Sequence, residues 1–438
     1  MNILNYLLLF FVFSLNPWLI IQAQIPKKQN FYFGTSEKGI SEHDTFIKSQ
    51  IFYNEGNKYG FDLQSANEIS FKKKSIISQN PFYFSVRLPE GNYTIEVDLG
   101  TETRTSLTTI KAESRRFMRC QIAVKKGGIK TEKFNVNLRG IKITPTESIK
   151  LKSREKDDLN WDQKLSLEFS GGVAIRAIRI KPAKDYTNIF LAGDSTVTDQ
   201  DLAPWASWGQ LITQYFSPEI VVSNYAASGE SLGSFKARNR FEKILHQMQE
   251  GDYLFIEFGH NDEKIKGEGN GAYGLYTQLL KDYIKAAHLK GGIPVLLTPT
   301  QRRHFDDNGK LIPTHGDFPD AMQKVAKELE VPLIDLTAIT TKMYENWGVE
   351  SSKDALVHYP ANTFPGQEES LADNTHFNVF GANEIALAII EEIRNSNLEL
   401  KNYIRKDVPR YNAKKPNHVS DWTVPVSLRF DNIKPEGN

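Results

Sequence analysis

Five short apolar runs, Ile189 to Ala192, Ile220 to Val222, Tyr253 to Glu257, Pro294 to Leu297 and Pro332 to Ile334, are separated by stretches whose apolar residues recur every three or four positions. Such runs are too short for buried helices, whereas the stretches between them, such as 274–290 and 318–330, have the period of amphipathic helices. Alternation of this kind over about 210 residues predicts a parallel sheet covered by helices on both faces. In an open sheet of that type, ligands bind beyond the C-terminal ends of the strands. The residues that follow each run are therefore where chemistry is expected.

Those positions carry reactive residues in a consistent order. Gly193-Asp194-Ser195 follows the first run, Asn224-Tyr225-Ala226-Ala227-Ser228-Gly229 the second, and Gly259-His260-Asn261-Asp262 the third. Further on, Asp373-Asn374-Thr375-His376 precedes a helix start at Asn378. Ser195 can attack an acyl carbonyl, His376 can take and return the proton, and Asp373 can hold the imidazole tautomer. The Ser195 N–H, the Asn261 amide and the N–H of Gly229, which has no Cβ to hinder approach, are candidate oxyanion donors. Asp194 is read as a turn or helix cap, and Asp335 as the N-cap of a helix over 337–347. His260 has no Asp three residues before it and is read as an orienting or packing side chain. Gly229-Glu230-Ser231-Leu232-Gly233 also fits the nucleophile elbow of another hydrolase class. That elbow needs its first glycine at the strand end, and here 224–228 intervene, so Ser231 is set aside.

With these blocks in place, the region from Asn188 to about Asn395 resembles the SGNH (GDSL-like) hydrolases. Phe190-Leu191-Ala192-Gly193-Asp194-Ser195-Thr196 matches the nucleophile block, Ala227-Ser228-Gly229-Glu230-Ser231 the glycine block, Phe258-Gly259-His260-Asn261-Asp262 the asparagine block, and Asp373 to His376 the Asp-x-x-His block. Within that superfamily, Ile256 to Asp262, Thr298-Pro299-Thr300-Gln301-Arg302-Arg303 and Thr314-His315-Gly316 look like rhamnogalacturonan acetylesterases. The resemblance implies a flavodoxin-like three-layer fold, a Ser195-His376-Asp373 triad, and removal of acetyl groups from a pectic polysaccharide. Galacturonate carboxylates in such a substrate would call for cations, which makes Arg302, Arg303 and His315 candidate cleft residues, with ordinary loop packing as their alternative. Trp205 is a candidate sugar platform, with core packing as its alternative, and Trp208 is read as core. The loop 351–372, with Tyr359-Pro360 and Phe364-Pro365, is long for the family and is expected to shape the cleft.

Before this region the residues alternate apolar and polar in short runs broken by turn formers, which predicts an all-β sandwich. Hairpins are expected for 82–88 with 93–99 around a turn at 89–92, and for 165–169 with 173–180 around Gly171-Gly172. This part resembles the galactose-binding-like sandwiches that accompany such esterases. Phe31, Tyr32, Phe33, Phe52, Tyr53 and Tyr59 are read as core, which favours a bracing role. The expected organisation is a signal peptide over 1–23, a β-sandwich accessory domain over 24–185, a hydrolase domain over 186–397, and a tail over 398–438 that packs on the domains. The apolar, uncharged stretch Leu4 to Ala23 ends in a small residue, as export signals do, with an uncleaved anchor as the alternative. An exported protein, periplasmic or extracellular, is expected.

Lys plus Arg number 54 against 53 Asp plus Glu, a formal charge of +1, so electrostatics give no reason to expect a nucleic-acid partner. The lone Cys120 is read as a packed thiol. His304, Asp306 and Asp307 match no recognised metal spacing, and an esterase of this kind needs no metal or other cofactor. The reading is a serine esterase acting on an acetylated polysaccharide, most simply rhamnogalacturonan. Its rivals are an acetylxylan or small-ester esterase and a carbohydrate-binding protein without activity.

Overall fold

The computed structural model describes residues 28–66 and 68–436. The expected leader lies outside them. The first unit consists of β1 (Gln29–Phe33), β2 (Thr45–Ile47), β3 (Tyr59–Asp62), β4 (Ser70–Lys72), β5 (Ser75–Ser78), β6 (Phe82–Arg87), β7 (Gly91–Leu99), β8 (Ser106–Ala112), β9 (Arg116–Val124), β10 (Lys130–Leu138) and β11 (Lys164–Pro182).

The long strand β11 organises this unit. Its first half pairs antiparallel with β6 and β8, and its second half with β5, β7 and β1. The change of partners falls around Gly171-Gly172. Gly171 has φ +89°, and a Cβ there would come within 2.7 Å of the Leu107 carbonyl oxygen. The glycine pair therefore marks a kink within one strand, and the hairpin expected around it does not form. The other expected hairpin is corrected too. β6 and β7 do not pair with each other; each lies against a different half of β11, and residues 88–90 carry the chain between them. Alternation specifies which side chains face the core, but it does not specify the neighbouring strand. That core holds interlocked rings, with Phe84 edge-on to Phe33 at 5.4 Å and to Phe61 at 5.7 Å. Phe52, read as core, is instead exposed.

The second unit carries β12 (Thr187–Gly193), α1 (Trp208–Leu211), β13 (Ile220–Asn224), α2 (Leu232–Ala237), α3 (Arg240–Gln247), β14 (Tyr253–Glu257), α4 (Thr277–Leu289), β15 (Ile293–Leu297), α5 (Phe318–Glu328), β16 (Leu333–Ile334), α6 (Leu336–Ser351), the hairpin β17 (Leu356–Tyr359) and β18 (Leu371–Phe377), and α7 (Val379–Asn395). Strands β12 to β16 form a five-stranded parallel sheet in the order β13-β12-β14-β15-β16. This is the flavodoxin-like order, with the switch point beside β12.

Period-two alternation builds the three layers. Ile189, Leu191, Phe255, Val295 and Leu297 face a core shared with α1, α6 and α7. Phe190, Ala192, Leu254, Ile256 and Leu296 face the opposite core, shared with α2, α3, α4 and α5. All five expected strands occur where the apolar runs placed them. The helix expected from Gly274 begins at Thr277, because Gly274 has non-helical torsions, φ −108° and ψ −115°.

The two units interlock where the β8–β9 turn enters the loop after β12. Ser114 donates its hydroxyl to Asp201 at 2.6 Å, Arg115 donates to the Trp205 carbonyl at 2.8 Å, and Gln210 donates to the Ser114 carbonyl at 2.7 Å. Asp199, fully buried, receives Arg139 at 2.6 Å and lies 3.3 Å from the Arg116 guanidinium. The segment beyond 398 crosses the same junction: Ile404 bridges Phe216, Trp422 stands 6.2 Å from Phe117, and Phe430 bridges Ala203. Asp199→Asn should therefore leave two buried guanidiniums without an anion and lower unfolding stability by about 3–5 kcal/mol. Urea unfolding measures this, and an unchanged midpoint would mean that other groups neutralise Arg116 and Arg139.

Candidate active site

Three consecutive strand ends of the sheet converge on one edge. Ser195 follows β12, Gly229 follows β13 and Asn261 follows β14, while His376 arrives on β18. The β17–β18 pairing slips between Leu356↔Phe377 and His358↔Ala372, so residues 373–376 bulge out of the ladder. Within that bulge Asp373 and His376 come together. The Asp373 Oδ1 accepts the backbone N–H groups of Thr375 at 2.8 Å and His376 at 3.0 Å, and Oδ2 lies 2.8 Å from His376 Nδ1. The other ring nitrogen, Nε2, lies 3.0 Å from Ser195 Oγ. Asn378 then caps α7, its side chain accepting from the Gly381 N–H at 3.0 Å.

The oxyanion side is equally defined. Gly229 has φ +77°, a conformation that favours glycine. Asn261 donates one amide hydrogen to the Glu230 carbonyl at 3.0 Å, which orients the side chain and leaves its second hydrogen. Among the described residues, no hydrogen bond takes up the Ser195 or Gly229 N–H.

Buried carboxyls lie beneath Ser195. Asp194 Oδ1 accepts both the N–H and the hydroxyl of Thr196 at 3.0 Å, as expected of a turn cap. The Thr196 hydroxyl also lies 3.1 Å from Glu257, which accepts the Trp208 indole N–H as well. Burial, with the Asp194 charge added, pushes Glu257 up to about 8. Burial likewise raises Asp194, and raises Asp262 to about 7. For Asp373 burial acts in the same direction, but the hydrogen bond and charge of His376 outweigh it and hold the carboxyl at about 2.

The remaining candidates sort by their partners. Arg302 pairs with Glu263 at 2.6 Å, and His315 uses Nδ1 on Glu263 at 2.9 Å and Nε2 on the Thr300 carbonyl at 2.8 Å. Arg303 donates to Ser352 at 2.9 Å and to the Asn374 side chain at 3.2 Å. These three candidate cleft residues all have internal partners, and Arg303 braces the bulge that carries Asp373. Trp205 is buried and meets the His376 ring edge-on at 5.9 Å, so it is a wall of the site and not an open sugar platform. Trp208 is core, and Ser231 caps α2, accepting from the Ser234 N–H. His260 is buried against His315 at 4.5 Å, and burial lowers its pKa. Cys120 is mostly buried, and desolvation pushes its thiol up to about 11.

Several groups at the site were not anticipated. Gln200 donates to the Ser195 carbonyl at 2.8 Å, Lys152 of the β10–β11 connection donates to the Ser228 carbonyl at 2.5 Å, and Lys434 lies 3.5 Å from Asp373. Glu257 alone had a signal in the sequence, an acid ending an apolar strand. The others reach the site from places the motifs do not mark.

Comparison with known proteins gives the family. The GDSL-like Lipase/Acylhydrolase family matches residues 191–382. Rhamnogalacturonan acetylesterase RhgT of Bacillus subtilis (strain 168) is 44% identical over 218 residues, covering 49% of this chain and 93% of that protein. Probable rhamnogalacturonan acetylesterase YesY of the same organism is 36% identical over 226 residues, covering 50% of this chain and 98% of that protein. The crystal structure of YxiM from Bacillus subtilis aligns with 85% of this chain and 99% of that one, at 22% identity and a TM-score of 0.45. A chain that spans nearly all of a 44% identical esterase, and carries the family pattern across its parallel sheet, belongs to the GDSL-like (SGNH) lipase/acylhydrolase family and is a carboxylic ester hydrolase.

Proposed function

We propose that this enzyme removes acetyl groups from a polysaccharide, with rhamnogalacturonan as the substrate, through an acetyl-enzyme on Ser195. One observation carries the reading: the unbroken relay of Ser195 Oγ, His376 and Asp373 at 3.0 and 2.8 Å, facing donors at two neighbouring strand ends. The names of the two relatives, one a rhamnogalacturonan acetylesterase and the other a probable one, support the substrate.

In this mechanism His376 Nε2 takes the Ser195 proton as Oγ attacks the acetyl carbonyl. The N–H groups of Ser195 and Gly229 and the second amide hydrogen of Asn261 bind the developing oxyanion. His376 returns the proton to the departing sugar hydroxyl, and water activated by the same imidazole then releases acetate. Asp373 keeps Nδ1 protonated and stabilises the imidazolium.

The same proposal assigns residues 24–185 a bracing role, because the β8–β9 turn fastens the loop that carries Gln200 and Trp205. Export to the periplasm or the cell exterior fits a polymeric substrate. Among the described residues no helix is long and apolar enough to cross a membrane.

Ser195→Ala should lower acetate release from acetylated rhamnogalacturonan by at least about 10³-fold. Acetylated xylan assayed alongside tests the substrate, since release from xylan alone would retain the mechanism and replace rhamnogalacturonan. An organophosphonate should add its mass to Ser195, and a protein that stays unmodified would be a binding protein instead. The pH profile gives a separate check. With its carboxyl held at about 2, Asp373 keeps its charge until the pH falls through that value. Above about pH 3 the acid limb of kcat/KM should therefore fall with a slope no steeper than one, because the carboxylate takes up no second proton beside the base. A slope of two would show that Asp373 titrates with it.

A further inference from the structure

A short segment crosses the site from the far end of the described chain. Residues 429–431 are fastened to the body, with Ala203 donating to the Arg429 carbonyl at 2.8 Å and Asp431 donating to the Ala203 carbonyl at 2.9 Å. Phe430 also stacks on Phe364 of the β17–β18 connection at 4.6 Å. Beyond them the hold changes in kind. Residues 432–436 meet the body through buried Pro435 and two ion pairs: Lys434 lies 3.5 Å from Asp373, and Glu436 lies 3.0 Å from Lys152. The two contacts fall on opposite sides of the nucleophile. Glu436 overlies the oxyanion side, since a Cβ on Gly229 would lie 3.0 Å from Glu436 Cβ and 3.1 Å from Lys152 Nζ.

Lys152 is built in, not a surface lysine that happens to be near. Its side chain is 11% exposed, and it donates to the Ser228 carbonyl, next to Gly229, at 2.5 Å. The connection that carries it is fixed by Lys150, which donates its N–H to the Arg238 carbonyl at 3.0 Å, and by Glu155, which pairs with Arg240. The Lys152 ammonium also lies 3.0 Å from Oε1 of the buried Glu230 carboxylate, the same oxygen that Arg238 reaches at 3.0 Å. Two cations thus share one buried anion. One positive charge is left over beside the oxyanion donors, and Glu436, half exposed, neutralises it. The cavity next to Lys152 has a volume of about 340 Å³ and is bordered by Arg154, Gln200, Trp205 and Ser228. Most of its acids are already matched: Asp199 with Arg116 and Arg139, Asp201 with Arg429, and Glu155 with Arg240. The indole N–H of Trp205 has no hydrogen-bond partner among the described residues.

We propose that Lys152 is the subsite for the carboxylate of a uronic acid residue adjoining the acetylated sugar, and that Glu436 occupies this subsite as an intramolecular stand-in until substrate displaces it. The proposal rests on the polysaccharide acetylesterase reading and gives it a specificity determinant supplied by the N-terminal unit. A tethered carboxylate competes at high effective concentration, yet a half-exposed ion pair on a short segment is readily exchanged for an equivalent anion.

Two substrates test it: an acetylated rhamnogalacturonan oligosaccharide and the same oligosaccharide with its carboxyls methyl-esterified. The ratio of kcat/KM for the free acid over the methyl ester should fall about tenfold in Lys152→Met and recover in Lys152→Arg, as expected for one charge-assisted hydrogen bond. Glu436→Gln should lower KM for the free acid, because the competing carboxylate is gone. Equal losses on both substrates in Lys152→Met would overturn the subsite and leave Lys152 as a brace for Ser228. A second arm separates this proposal from the substrate reading. Unacetylated oligogalacturonate should inhibit 4-nitrophenyl acetate hydrolysis by the unmodified enzyme and lose about tenfold in potency against Lys152→Met. If no oligosaccharide releases acetate, the polysaccharide reading falls while this inhibition still supports the subsite, and absence of inhibition overturns the subsite whichever ester is the substrate.

Discussion

The buried charge of Asp199 ties the two units of the molecule to each other and to the nucleophile loop. Taking a carboxylate and two guanidiniums out of water costs far more than any one hydrogen bond returns, so such a cluster persists only when every member is met. Arg116 opens β9, Arg139 follows β10, and Asp199 lies four residues past Ser195. Asn224, at the end of β13, adds an amide donor to Asp199 at 2.9 Å and a second to the Val197 carbonyl at 2.7 Å. The guanidinium of Arg139 stacks in turn over Trp161 at 5.1 Å, within the connection that delivers Lys152. The loop that shapes the site is thus satisfied by residues of the other unit as well as by its own.

Two sets of buried acids near the nucleophile illustrate how environment assigns opposite roles to one functional group. Glu257 receives only neutral donors, the Trp208 indole, the Thr196 hydroxyl and the Thr300 N–H, and has Asp194 as a like-charged neighbour. It is held protonated. Asp373 receives two backbone N–H groups and an imidazole, with the Lys434 ammonium 3.5 Å away. It is held ionised. A fixed negative charge thus stands behind His376, while Glu257 adds none beneath Ser195.

Much of the hydrolase unit was legible because its signals are local. Apolar runs mark buried strands, a strand end fixes where its following residues emerge, and in a parallel sheet all those ends share one edge. Ser195, Gly229 and Asn261 follow from that alone, and the i, i+3 spacing of Asp373 and His376 is realised by a bulge whose own N–H groups bind the carboxylate. In the first unit the alternation was right and the pairing was not. β6 and β7 each match β11 as well as they would match each other, and Gly171-Gly172 has the composition of a turn while serving as a kink. Arg302 and His315 show a related ambiguity. A cation in a cleft motif has the same letters whether its partner is a substrate or Glu263, and Glu263 lies about 40 to 50 residues away in sequence.

Lys152 and Glu436 were invisible to sequence because nothing local distinguishes them from solvated surface charges. Their meaning comes from a topological fact: the β10–β11 connection of an antiparallel unit reaches the C-terminal edge of a parallel sheet that follows it in the chain. A sheet edge offers backbone donors and short side chains, enough to position an ester carbonyl but little charge with which to discriminate among polymers. Charge has to come from segments that arrive from elsewhere, and here they arrive from both flanks, Lys152 and Arg154 before the hydrolase unit and Lys434 and Glu436 after it. Because the same flanking unit neutralises Asp199, it cannot be loosened without disturbing the nucleophile loop. The chemistry of the site and its selectivity are therefore set by different parts of the chain but stabilised by one shared interface.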